Sequence, residues 1–134
     1  LVALVSGTPA KLDRYGREYG IPRTHHYNYQ TYDRMRDNPD IDIVYVVTPN
    51  GLHAAHSIAA ANAGKHVICE KPMANTVADC DAILAACRDD TWLCVACDLT
   101  TASELVASRR VADWRGNLPK IERRPCVFLI YRER

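Results

Sequence analysis

Several short polar stretches stand directly behind apolar runs, and they set the chemistry that this sequence can support. Glu70-Lys71-Pro72 follows the run His66 to Cys69, and the proline limits Lys71 to extended geometry, with a trans or a cis bond, which aims its ammonium group. A lysine held there can bind an anion or a substrate hydroxyl, and partial desolvation turns it into an acid/base group. The plainer alternative is an exposed, salt-bridged turn. Thr48-Pro49-Asn50-Gly51-Leu52-His53 sets an amide and an imidazole at a helix start, where Asn50 equally suits an N-cap. His53 and His56 share a helical face and could hold a metal, but no third ligand stands at matching spacing, so none is expected. Ser6-Gly7 with Lys11 and Arg14 joins a hydroxyl, a glycine turn and two cations at a helix start, which fits a phosphate or an ordinary solvated turn. Cys94-Val95-Ala96-Cys97 has dithiol spacing, yet residues three apart on a strand face opposite sides, so these read as buried, reduced thiols.

Those residues share one edge only if alternating strands and helices place them there. Apolar runs of strand length do alternate with segments of helical period, the pattern of a parallel sheet wrapped by helices. Leu1 to Val5 reads as a strand, followed by a helix with Leu12, Tyr15 and Tyr19 on one face that stops at Gly20. His25 to Tyr29 suggests an edge strand, and Tyr32 with Met35 a short helix ending before Asn38-Pro39. Ile41 to Val47 shows no alternation and reads as a central strand covered on both faces. Leu52 to Ala63 is a helix and His66 to Cys69 a strand. Thr76 to Arg88 is a helix with Val77, Cys80, Ile83, Leu84 and Cys87 in one stripe, and Trp92 to Cys97 closes the series. Ligands of such sheets sit beyond the carboxyl ends of the strands, where the polar stretches fall.

The 134 residues are 48% hydrophobic and 25% charged with a net charge of +1, which suits one globular domain and no global nucleic-acid field. No membrane-length apolar run or signal-peptide lead is seen, so a cytoplasmic protein is expected, with six reduced cysteines. The charge shifts towards basic after residue 100, which divides the chain into residues 1–98 and a divergent basic tail, 99–134.

The segment VYVVTPNGLHAAHSIAAANAGKHVICEKPMANTVADCDAILAAC, Val44 to Cys87, resembles the glucose-fructose oxidoreductase, inositol dehydrogenase and MocA family. It shares a strand ending in TPN, an N-x-x-H helix start, AGKHV, the CEKP turn and an amphipathic helix, in that order. LVALVSG followed by a lysine is similar to the family's second strand, so the likeness runs from residue 1 to about 97. The resemblance implies an α/β, Rossmann-like, doubly wound parallel sheet and reversible hydride transfer between NAD(P) and a hydroxyl carbon of a sugar or polyol. It implies that Ser6, Gly7 and Lys11 meet the adenosine 2′-phosphate of NADP, and that Thr48, Pro49 and Asn50 line the nicotinamide end with His53 in support. Glu70 and Lys71 then border nicotinamide and substrate, with Lys71 as the catalytic group.

The family's glycine-rich first strand-turn-helix should precede Leu1, and no GxG occurs in this chain. In the order 3-2-1-4-5-6 that strand lies between the Leu1 and Ile41 strands, so its loss splits the sheet. The expectation is a truncated or frame-altered dinucleotide-binding domain, inactive alone; the apolar run Cys126 to Tyr131 is a candidate for the vacant slot. The competing reading is a noncatalytic α/β binding or assembly module, in which apolar surface favours self-association as a homo-oligomer.

Overall fold

Thr8 and Pro9 open the first helix and Gly20 closes it, because proline pre-sets the helical φ and Gly20 takes a left-handed φ of 66°. In the computed structural model, which describes residues 1–114 and 124–131, this helix belongs to the first of two compact units, 1–42 and 43 onward. Strand β1 (Leu4–Val5) pairs in parallel with β2 (His26–Tyr27), and α1 (Pro9–Tyr19) connects them. Only Gly16 of α1 is buried. A Cβ there would stand 2.4 Å from the His26 ring, so glycine lets the helix approach β2, whereas Tyr19 stays exposed and stacks on Tyr15. The expected helix around Tyr32 is a 3-10 helix, Tyr32–Asp37, that buries Tyr32 and Met35.

In the second unit, β3 (Ile43–Val46) leads through a 3-10 turn at Asn50–Leu52 and α2 (His53–Asn62) to β4 (His66–Cys69), parallel to β3. Next come α3 (Val77–Ala86), β5 (Trp92–Cys97), β6 (Leu105–Arg110), α4 (Val111–Trp114) and β7 (Cys126–Tyr131). The strand order is β3-β4-β7-β5-β6, with β7 antiparallel to both neighbours and β6 antiparallel to β5. Val44, Val46, Val67, Leu93, Val95, Phe128 and Ile130 form one buried sheet face, on which α2 rests through Ser57 and Ala60, and α3 adds Ile83. Trp114, fully buried, donates its indole N–H to the Leu93 carbonyl at 2.8 Å. No helix among the described residues is long and apolar enough to cross a membrane.

Several expectations need correction. The Ile41 strand is an edge strand, not a central one, and its burial alternates: Ile43 and Tyr45 are exposed while Val44 and Val46 are buried. Its unbroken apolar composition conceals a strand covered on one face. β1 and β2 form a sheet of their own, and β7 enters the other sheet between β4 and β5, not beside the Leu1 strand. Cys97 is not a reduced thiol, because the register sets it opposite Cys126 and the two form a disulfide. Cys69, Cys80, Cys87 and Cys94 are free. Val77, at the exposed first turn of α3, lies outside the buried stripe. Of the tail's basic residues, Arg115, Lys120, Arg123, Arg132 and Arg134 lie outside the described residues.

Candidate functional site

Parallel pairing of β3 and β4 brings their carboxyl ends side by side, so the turns that follow them share one end of the sheet. His53 joins those turns. It is the first residue of α2 and is 1% exposed; Nδ1 lies 2.7 Å from the Pro72 carbonyl oxygen and Nε2 2.7 Å from that of Thr48. A neutral ring donates to one of the two, and serves both only when it carries both protons. One helical turn on, the His56 ring meets the Thr48 hydroxyl at 3.2 Å, and burial, aided by His53, lowers the His56 pKa. The Lys71–Pro72 peptide is cis.

Glu70 is anchored by its N–H, which donates to the Val46 carbonyl at 3.1 Å, and its carboxylate accepts from the Tyr45 hydroxyl and, at 3.3 Å, from the Lys71 N–H. The tyrosine bond, then the backbone bond, hold the Glu70 carboxyl below its ordinary range, and the same bond raises the Tyr45 hydroxyl. Glu70 is therefore an acceptor at neutral pH. Beside it opens a crevice of about 330 Å³ lined by Glu70, Lys71, Ala96, Asp98, Thr101 and Val127, a size that suits a small ligand. Asp98 and Thr100 adopt left-handed φ of 48° and 69°, a costly conformation outside glycine that clusters at functional turns. The Asp98 turn is held by Arg124, whose Nε donates to the Asp98 carboxylate at 2.7 Å while a terminal nitrogen donates to the Ser103 carbonyl. Carboxylates and one ammonium around a small crevice can bind a compound with several hydroxyls, the carboxylates accepting and the lysine donating.

In the first unit, the Ser6 hydroxyl accepts from the Thr8 N–H at 3.1 Å, and the Lys11 N–H donates to the Thr8 carbonyl at 3.0 Å in the first turn of α1. Gly7 is needed for close approach: a Cβ there would stand 2.9 Å from the Tyr29 ring. Lys11 is exposed.

Thr48, His53 and the Glu70-Lys71-Pro72 turn thus form one hydrogen-bonded cluster. Pro49 and Asn50 are exposed, and α2 opens without a side-chain cap, so Asn50 is no N-cap of that helix. Thr48 and Asn50 do not line the crevice; the Thr48 carbonyl is joined through His53 to the Pro72 turn beside it. Lys71 lines its rim exposed to solvent, which corrects the expectation of a desolvated ammonium: the turn projects beyond the strand end. Among the described residues no group of three His, Cys, Asp or Glu is placed to hold a metal. Sequence reasoning missed Tyr45 and Asp98. The two-residue step from Ile43 to Tyr45 carried the signal for the first, and nothing local marked the second.

A profile of the oxidoreductase family with an NAD-binding Rossmann fold matches residues 1–96. The aldose-aldose oxidoreductase from Caulobacter crescentus, solved with glycerol, is 69% identical with a TM-score of 0.63, over 65% of this chain and 26% of that one. Scyllo-inositol dehydrogenase from Lactobacillus casei, solved with NAD(H) and scyllo-inositol, is 34% identical with a TM-score of 0.55, over 64% and 24% of the two chains. The 1,5-anhydro-D-fructose reductase of Ensifer adhaerens is 36% identical over 89 residues, 66% of this chain and 26% of the relative. The matched part spans about a quarter of each of these proteins. With a profile that covers well over half of its length, this chain belongs to the glucose-fructose oxidoreductase, inositol dehydrogenase and MocA family of oxidoreductases, through its NAD-binding Rossmann domain.

Proposed function

We propose that the chain carries the cofactor-binding part of an NAD(P)-dependent oxidoreductase of sugars or polyols, with residues 1–98 as that part and 99–134 as a divergent tail. The observation that carries this reading is the His53 tie between the Thr48 and Pro72 turns, next to a crevice edged by Glu70 and Lys71. Gly7, pressed against Tyr29, with Ser6 and Lys11 at the start of α1, suits a phosphate: one hydroxyl, one cation and helix-start amides point the same way. We assign these three to the adenosine 2′-phosphate of NADP, and Thr48, Pro49 and Asn50 to the nicotinamide end. The bound dinucleotide supplies the hydride donor or acceptor. Lys71 holds the substrate oxygen with its ammonium Nζ and is the group from which a proton can move to it, while ionised Glu70 accepts from a neighbouring hydroxyl.

The 134 residues contain no GxG turn, so they lack the backbone donors that such a turn gives to a pyrophosphate, each worth about 1.5 to 3 kcal/mol as a bond to a charged acceptor. We therefore expect weak nucleotide binding and no turnover of sugars by this chain on its own. Titration of the purified chain with NADP and NAD, followed by Trp fluorescence, tests the reading. NADP should bind more tightly than NAD, and Lys11→Glu should remove the preference. Equal binding of the two in both proteins removes the Ser6 and Lys11 assignment, and measurable turnover by the chain alone contradicts the expected inactivity.

A further inference from the structure

A second cavity opens at the other end of the five-stranded sheet, where β4 and β5 begin and β7 ends. Register makes it: Ile130 stands opposite Val67 and Tyr131 opposite Trp92, so the three strands meet at one rim. It holds about 150 Å³, and its polar lining is Lys65, His66, Arg88, Thr91 and Tyr131, with no carboxylate. Fixed turns carry the cations. Gly64 takes a left-handed φ of 75° and the Lys65 N–H donates back to the Ala60 carbonyl at 3.1 Å, while the Thr91 N–H donates to the Arg88 carbonyl at 2.9 Å. Two helices end there, and cations beside helix ends ordinarily offset the carbonyl dipole. Here several of those carbonyls are already taken: Ala59 by the Ala63 N–H, Ala60 by that of Lys65, Ala61 by that of Gly64, and Leu84 and Ile83 by the Cys87 N–H and thiol. Arg88 also meets Asp90 at 3.3 Å through Nε, which engages one of the several N–H donors of its guanidinium. Thr91 gives the second, independent sign of a ligand. It is 8% exposed, and its hydroxyl has no hydrogen-bond partner among the described residues, whereas buried hydroxyls are ordinarily paired.

We propose that this cavity binds a small dianion of the phosphate class, as the free ion or as the terminal phosphate of a larger phosphorylated compound. Charge gives the sign: Lys65 and Arg88 are cations, the His66 ring and the hydroxyls of Thr91 and Tyr131 can donate, and no lining side chain is anionic. Size gives the class. At about 30 Å³ per water the space equals about five waters, enough for a tetrahedral ion and well below the roughly 300 Å³ at which sites for larger ligands begin. Shape separates phosphate from carboxylate. The donors come from the turn before β4, the turn before β5 and the end of β7, so they approach from three directions, which suits an ion with oxygens on every side better than a planar group. Gly64 and Arg88 are exposed, so the cavity stays open to solvent and the rest of a phosphorylated compound can remain outside. The inference does not rest on nucleotide binding, because the crevice beside Glu70 lies at the carboxyl ends of the same strands.

The test titrates the full chain, isotope-labelled and in phosphate-free buffer, with inorganic phosphate at constant ionic strength, and follows amide shifts by NMR. Lys11→Glu is run beside the wild type, so that the phosphate position assigned to α1 does not contribute. Shifts at residues 64–66 and 88–91 should saturate in both proteins with a Kd of about 1 to 10 mM, and Lys65→Gln/Arg88→Gln should weaken binding at least about tenfold with unchanged circular dichroism. Thr91→Val keeps the volume, removes the hydroxyl and should weaken binding about fivefold. Acetate should bind at least about fivefold more weakly than phosphate. Glycerol phosphate identifies the source: saturating shifts at the same residues mean that phosphorylated compounds enter, and their absence makes the free ion the ligand. Phosphate shifts that stay linear to about 50 mM, or that chloride reproduces, overturn the proposal and leave water as the partner of Thr91. So does acetate that binds as tightly as phosphate, or phosphate binding that the folded double variant leaves intact.

Discussion

Replacing His53 by leucine tests the central tie directly, because leucine fills a comparable volume and brings no donor. Two carbonyl oxygens, of Thr48 and Pro72, face the buried ring at 2.7 Å each. Thr48 is half-buried and Pro72 exposed, so each bond counts at its net worth of about 0.5 to 1.5 kcal/mol, once for a ring with one N–H and twice for a ring with both. At roughly 4 °C per kcal/mol for a domain of this size, Tm falls by about 2 to 6 °C for one bond and by up to about 12 °C for two. His53→Gln retains an N–H donor and should recover part of the loss. Differential scanning calorimetry of the three proteins measures it. If leucine lowers Tm by less than about 2 °C, water or a shifted turn satisfies those carbonyls and the tie holds nothing. If glutamine is no better than leucine, packing rather than hydrogen bonding is what His53 contributes. The prediction matters for the site because the same two bonds link the TPN turn to the crevice that Glu70 and Lys71 border.

Tyr45→Phe removes the donor that holds the Glu70 carboxyl low, so its midpoint, followed by carboxyl carbon NMR, should rise towards the ordinary glutamate range; an unchanged midpoint means the bond is absent in solution. His56 is lowered in the fold, so the unfolded chain takes up its proton first and stability declines as pH falls below about 6.5 through the folded value. The denaturant midpoint should be lower at pH 5 than at pH 7.5, and the gap should narrow in His56→Asn; an equal gap assigns the dependence to other groups. Cys126→Ser opens a loop with a sequence separation of 29, for which chain entropy predicts a loss of about 3 to 4 kcal/mol, whereas Cys94→Ser should be near neutral. Equal midpoints for the two variants would show that the Cys97–Cys126 bridge does not form in solution.

Local pattern was enough to reveal the alternation of strands and helices, the stop at Gly20, the Lys71–Pro72 turn as a special position, and the polar turns that follow the strands. Each of these depends on φ restriction or on hydrophobic period within a dozen residues, and the sequence contains both in full. The order of motifs from Val44 to Cys87 added the family; the roles of the individual turns are proposals drawn from it. What the chain could not disclose locally is which strands become neighbours. The edge position of β3, the insertion of β7 between β4 and β5, and the Cys97–Cys126 disulfide all follow from pairing between residues far apart in sequence, and pairing partners leave no periodic trace in either strand. The same cause hid Tyr45 and Asp98: a hydrogen bond to Glu70 exists only once β3 lies against β4, and a carboxylate at the crevice only once β5 is brought near it by a strand from the tail. Sequence determined which side chains could act; tertiary pairing decided which of them meet, because contact depends on register between strands and register is a property of the folded sheet.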